Sequence, residues 1–79
     1  MASDFERVEQ VFRRIIDADK LSGFSETSSM DDVEGWDSLN FLNIVLELET
    51  EFGIRIDGLD AAEMTSMPRI LEQIKRLTE

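Results

Sequence analysis

Apolar residues recur at helical spacing in three stretches of the chain, and the segments between them carry no period. Phe5, Val8, Val11, Phe12, Ile15 and Ile16 fall on one helical face. Ser3-Asp4-Phe5-Glu6 has the serine-to-glutamate spacing of a capping box, which predicts a first helix over residues 4–17. Asp37 suits the N-cap of a second helix over residues 37–52, stopped by Gly53. Trp36 and Phe41 occupy the two positions of a hydrophobic staple at its start. Asp60-Ala61-Ala62-Glu63 repeats the capping-box spacing and opens a short helix over 60–64. Thr65-Ser66-Met67-Pro68 starts the last helix, residues 67–78, because proline is tolerated in a first turn. Its apolar stripe is Ile70, Leu71, Ile74 and Leu77.

Residues 18–36 hold Gly23, Gly35, five serine or threonine residues and scattered acids. They read as a long loop pinned inward by Leu21, Phe24, Met30 or Val33, and loops of that length in compact domains are more often functional. Only Ile54-Arg55-Ile56 hints at alternation, and it is too short for a strand. The expected architecture is all-α: one domain over 1–79, a small bundle of three main helices and one short helix, with a long loop between the first and second.

Composition narrows the functions open to such a bundle. The 79 residues include no cysteine, histidine or tyrosine. There is no thiol nucleophile, no zinc–thiolate site and none of the usual acid–base residue. Eighteen acids against eight bases give a net charge of −10. Nucleic acid needs Lys and Arg to displace counterions and is therefore a poor partner. The acidic start lacks the features of a signal peptide, and no apolar run approaches a membrane span, which points to a cytoplasmic protein. Residues 31–35 do not match the spacing of a calcium loop, so no metal site is expected.

Where the charge lies matters more than its total. Residues 21–64 hold eleven acids and only Arg55, whereas both ends are close to balanced. Solubility alone does not explain that segregation. A surface of one sign steers partners of the other.

The second helix sits at the centre of this acidic stretch. At about 100° per residue, Asn40, Asn43, Glu47, Thr50 and Glu51 share one arc, with Phe41, Ile44, Val45, Leu48 and Phe52 opposite as the core face. Leu39 and Leu46 lie beside the polar arc. They are either peripheral core residues or apolar anchors on a face presented to partners.

Gly35-Trp36-Asp37-Ser38-Leu39, followed by Leu42, Val45, Glu47-Leu48-Glu49, Glu51-Phe52 and Ile56, resembles the acyl carrier protein family over nearly the whole chain. The resemblance implies that Ser38, within Asp37-Ser38-Leu39, receives a covalent 4′-phosphopantetheine arm from coenzyme A. The thiol on that arm carries acyl or aminoacyl groups as thioesters, which answers the absence of cysteine. It implies a non-catalytic, monomeric carrier, whose partners are a phosphopantetheinyl transferase, an activating ligase or acyltransferase, and downstream biosynthetic enzymes. Residue chemistry agrees: a primary hydroxyl can become a phosphodiester, and the first helical position favours a negative phosphate. Partners of this family dock on the helix that Asp-Ser-Leu begins, which makes Leu39, Asn40, Asn43, Leu46 and Glu47 the candidate docking residues.

The chain departs from general fatty acid carriers at Asn40 and Asn43, where those typically have acids, and at Trp36 and Phe41, where they have small residues. These departures favour a specialised pathway with a dedicated ligase over general fatty acid synthesis. Phe41 is expected to fill space that would otherwise shelter an acyl chain, favouring short or polar cargo. From a different class, an acidic helical adaptor without a prosthetic group would also fit the composition, and it would not need Ser38.

Overall fold

The computed structural model describes residues 3–79. Four α-helices follow one another: α1 Asp4–Ile15, α2 Ser38–Phe52, α3 Gly58–Ala62 and α4 Met67–Thr78. The all-α expectation agrees with this, and among the described residues there is no strand. The connection between α1 and α2 contains two short 3-10 turns, Ala18–Leu21 and Met30–Asp32.

Local chemistry accounts for each start. The Ser3 hydroxyl accepts the Glu6 N–H at 3.1 Å and the Glu6 carboxylate accepts the Ser3 N–H at 3.2 Å, so the capping box closes in both directions. α1 ends two residues before the expected position. Ile16 leaves the helical region (φ −112°, ψ 135°), yet its N–H still donates to the Phe12 carbonyl and its side chain is buried. α2 stops at Gly53, whose φ of 64° is costly for any side-chain-bearing residue. α3 starts earlier than the sequence pattern indicates. Its cap is Asp57, whose carboxylate accepts the Asp60 N–H at 2.8 Å, so Asp60 is spent inside the first turn instead of opening it. Glu63 then follows the helix and pairs with Arg69. Ser66 caps α4, with Pro68 in the first turn as its missing N–H allows.

One contiguous core joins these elements. Val8, Val11 and Phe12 of α1 meet Ile44, Val45 and Leu48 of α2, and Met67, Ile70 and Ile74 of α4 close the third side with Met64. α1 packs chiefly on α2 and less extensively on α4. Phe12 is the hub: its ring lies 4.9 Å from Phe24 of the loop and 4.8 Å, edge-on, from Trp36 just ahead of α2. Phe24 also stacks on Phe5.

The long loop is therefore held down along its length. Leu21 and Val33 are buried, while Phe24 and Met30 pack half-buried against the core. Backbone bonds fix it as well. The Met30 N–H donates to the Thr65 carbonyl at 2.8 Å and the Met67 N–H to the Ser28 carbonyl at 2.7 Å, around an isolated antiparallel bridge between Ser29 and Ser66. The middle of the loop is thus attached to the start of α4.

Phe12 holds α1, the loop and the approach to α2 together, so its removal bears on all three. Phe12→Ala is expected to cost about 3–5 kcal/mol, which approaches the whole stability of a small domain. Urea denaturation followed by circular dichroism should show the midpoint collapsing toward zero denaturant. Phe12→Leu should retain most of it.

Candidate functional site

The chain enters α2 through Gly35-Trp36-Asp37, and each of the three is held differently. Gly35 has φ 91°, and a Cβ there would stand 3.0 Å from Ile16 Cγ2 and 3.3 Å from Lys20 Cδ. Only glycine allows the loop to press this closely on the end of α1. Trp36 turns into the core beneath α1, 3% exposed, with its indole N–H buried and unpaired. Its aromatic partner is Phe12 and not Phe41, the residue the staple pattern indicated. Asp37 remains extended and solvent-exposed. Its carboxylate accepts the Asn40 N–H at 2.9 Å and its carbonyl accepts the Phe41 N–H at 2.7 Å.

Ser38 follows as the first residue of α2 and is exposed. Its hydroxyl is engaged in no hydrogen bond among the described residues, while the positive end of the helix dipole lies beneath it. An open, largely apolar cavity of about 400 Å³ adjoins it, walled by Met30, Phe41, Leu42, Ala62 and Thr65 with Ser38 itself. The loop, α2, α3 and the α3–α4 connection thus all contribute to one depression. An exposed, unbonded hydroxyl at a helix N-terminus, beside apolar space, fits a phosphodiester-linked arm.

Phe41 needs a correction. It lines this depression instead of closing it, and its side chain is only half-buried. The basis for restricting the cargo to short or polar groups is therefore gone.

The candidate docking residues separate into two groups. Leu39 and Leu46 are 70% and 62% exposed, and Leu42 between them is 60% exposed. Peripheral core residues would not stand so far out of the fold. Asn43 is also exposed. Asn40 is not available in the same way: its side-chain amide donates to the Gly35 carbonyl at 2.7 Å, tying α2 to the loop. Glu47 accepts from Arg14 of α1 at 3.3 Å. Helical angle places both on the polar arc of α2, but it carries no information about what a neighbouring element reaches across to touch.

Arg14 and Arg7 build a small ionic network on this side of α2. Arg14 also donates to Glu51 at 3.0 Å, and Arg7 reaches Glu51 through its carboxylate at 3.1 Å and its backbone carbonyl at 2.7 Å while lying over the Phe52 ring. Hydrogen bonding from Arg14, then from Arg7, holds the Glu51 carboxyl below the usual carboxylate range. Donating to the Glu51 carboxylate likewise raises the Arg14 guanidinium. Elsewhere Asp60 pairs with Arg76, and Glu49 accepts the Ile56 N–H at 2.7 Å. Four acids of the acidic middle stretch are therefore matched by arginines from the two balanced ends.

Sequence reasoning missed Met30, Ala62 and Thr65 as cavity walls and Arg14 as a partner of α2. Leu42 was open to discovery, since it lies one turn beyond Ser38. The others come from separate elements and leave no local signal.

The phosphopantetheine attachment site family matches residues 6–74 of the chain. Among curated relatives, the acyl carrier protein of Thermotoga maritima is 26% identical over 72 residues, spanning 91% of this chain and 88% of that protein. No solved structure matches.

Two outcomes follow from this geometry. Asn40→Asp removes the donor to the Gly35 carbonyl and sets oxygen against oxygen. The helix-dipole benefit of the new charge, a few tenths of a kcal/mol, offsets only part of the loss. A net cost of about 1 kcal/mol is expected, or about 4–8 °C in melting temperature. The second outcome concerns pH. Because Glu51 is lowered in the folded state, its pairing stabilises above the unfolded-state value and is lost as pH falls through the folded-state value. The melting-temperature gap between the wild type and Glu51→Gln should therefore shrink as the solution is acidified through the carboxylate range.

Proposed function

Since the chain belongs to the phosphopantetheine attachment site family, the carrier family its sequence resembles, we propose that Ser38 is the residue that bears its arm. Membership brings with it a covalent 4′-phosphopantetheine and a non-catalytic role as carrier of tethered groups. The observation that supports Ser38 in particular is its exposed, unbonded hydroxyl at the α2 N-terminus beside the apolar cavity. The other described serines lack that combination: Ser3, Ser25, Ser28, Ser29 and Ser66 are engaged in caps or turns, and Ser22, although exposed, ends a 3-10 turn and does not line the cavity.

On this reading a phosphopantetheinyl transferase in the cytoplasm joins Ser38 Oγ to the pantetheine-bearing phosphorus of coenzyme A; the hydroxyl proton is lost, the pyrophosphate bond breaks and adenosine 3′,5′-bisphosphate leaves. Asp37 and Leu39 flank the acceptor, Asp37 by capping the helix that orients it. An activating ligase or acyltransferase then charges the arm, and biosynthetic enzymes act on the bound group. Leu39, Leu42 and Leu46 form an exposed apolar stripe suited to shallow pockets on those partners, with Asn43 at its margin. Holding the group on an arm raises its effective concentration at whichever enzyme binds the carrier.

We assign the chain to a specialised pathway with a dedicated ligase, in preference to general fatty acid synthesis. Asn40 and Asn43 leave the first half of α2 with no carboxylate beyond its cap, and Glu47, past that half, is paired with Arg14. A partner reading for acids along that helix would find little to hold.

Incubation with coenzyme A and a promiscuous phosphopantetheinyl transferase, followed by intact-mass measurement, tests the assignment. The wild type should gain the mass of one arm and Ser38→Ala none. A gain retained in Ser38→Ala, or no gain in folded wild type, would sink it and return weight to an adaptor without a prosthetic group.

A further inference from the structure

Asn40 grips the entry to α2 on both sides of Trp36. Its backbone N–H donates to the Asp37 carboxylate at 2.9 Å, and its side-chain amide donates to the Gly35 carbonyl at 2.7 Å. Residues 35–40 are thereby closed into a ring, and Ser38 lies within it. The ring is attached to the core through Trp36, which is buried edge-on to Phe12, and through Gly35, which lies close against Ile16. Ser38 has no such attachment of its own. It is exposed, and its hydroxyl makes no hydrogen bond among the described residues. The direction in which that hydroxyl leaves the helix is set by its backbone, and its backbone is part of the ring. A first helical turn frays readily, because its N–H groups have no partner inside the helix. Asp37 caps this turn, while the Asn40 amide ties it back to Gly35, ahead of the core-anchored indole.

We propose that Asn40 is a positioning residue for loading: its amide, held on the Gly35 carbonyl, keeps the Ser38 hydroxyl aligned for attack on the phosphorus of coenzyme A. The inference rests on the reading that Ser38 bears the arm. Asn40 acts through the backbone that carries the acceptor and not by touching the partner. Misalignment of a reacting group slows the reaction even where binding is kept. Leu42 and Leu46 lie beyond the ring and stay exposed without it, so a carrier with a loosened first turn still docks. It docks unproductively, because molecules with Ser38 out of line occupy the enzyme without reacting. Loss of the amide therefore lowers the rate of the bound complex and leaves unchanged the concentration needed to form it. A side chain that served only to hold the partner would do the reverse when removed.

Single-turnover loading of the full chain, with a promiscuous phosphopantetheinyl transferase in excess and coenzyme A saturating, gives the maximal rate and the half-saturating enzyme concentration separately. Amide exchange measured by NMR on the same unloaded proteins reports the first turn of α2 directly. Asn40→Ala should lower the maximal rate about fivefold and leave half-saturation within about twofold. Exchange at the amides of residue 40 and Phe41 should quicken by about fivefold or more. Asn40→Asp, close in size but without the donor, should lose the maximal rate in the same way, although it adds a charge that a basic enzyme would favour. Ser3→Ala controls for stability, since it uncaps α1 at the end where Arg7 meets the last turn of α2, remote from Ser38. It should leave both readouts within about twofold of the wild type. A raised half-saturation with an unchanged maximal rate would overturn the proposal, as would faster loading by Asn40→Asp or an equal loss in Ser3→Ala. So would a rate lost without faster exchange, or faster exchange without a lost rate. If Asn40→Ala does not fold by circular dichroism, Asn40→Asp decides on the same two readouts. Loading that is absent from folded wild type would overturn the carrier reading and this inference with it, whereas equal loading of wild type and variants overturns the inference alone.

Discussion

The burial of Trp36 against Phe12 determines how α2 begins, and most of the molecule's chemistry depends on that beginning. The indole is drawn under α1 by apolar burial, edge-on to Phe12 at 4.8 Å. Its neighbours must then satisfy the consequences. Gly35 adopts a positive φ to let the loop pass within reach of Ile16, and the Asn40 amide takes the Gly35 carbonyl. With Gly35 and Trp36 held inward, Asp37 and Ser38 emerge toward solvent, one as the cap and the other as the first residue of the helix. Among the described residues the buried indole N–H meets no protein acceptor, which is the polar cost of this arrangement. Burial of the large ring offsets it.

Much of this is legible in the sequence alone. Helical periodicity located the core faces of α1, α2 and α4, since Val8, Phe12, Ile44, Leu48, Ile70 and Ile74 can be buried together only on those stripes. Asp37-Ser38-Leu39 at a helix start, inside an acidic chain, pointed to the attachment chemistry. What periodicity could not convey was anything fixed by contact between distant segments. The same spacing rule that placed Asn40 on an exposed arc had no means of registering the Gly35 carbonyl waiting 2.7 Å away. The start of α3 failed for a related reason: Asp57 and Asp60 are both competent caps, and the choice between them is made by where Ile56 and Met64 must enter the core.

Charge followed the same division. The acidic excess of residues 21–64 is a property of the sequence, but its distribution in space is not. Arg7 and Arg14 from one end, and Arg69 and Arg76 from the other, fold back onto Glu51, Glu47, Glu63 and Asp60. Exposed pairs of this kind add little stability individually. Their larger effect is on the outward field. They leave the loop between α1 and α2 as the main region of unmatched negative charge, anchored through the Ser28–Met67 and Met30–Thr65 backbone bonds.

That anchoring bears on how the cavity beside Ser38 behaves. Its walls come from segments held by different forces: Met30 by a backbone bond to Thr65, Phe41 and Leu42 by α2, and Ala62 by a helix of only five residues. A five-residue helix has little intrinsic stability, because the nucleation cost of a first turn is recovered only over longer spans. α3 is kept in place mainly by its Asp57 cap, the packing of Ala61 on the core and the burial of Met64 behind it. Of the cavity's walls it is the one most able to move at small cost, whereas the wall bearing Ser38 is fixed by the core through Trp36. The site thus sets Ser38, on a wall fixed by the core, against a wall held mainly by local contacts.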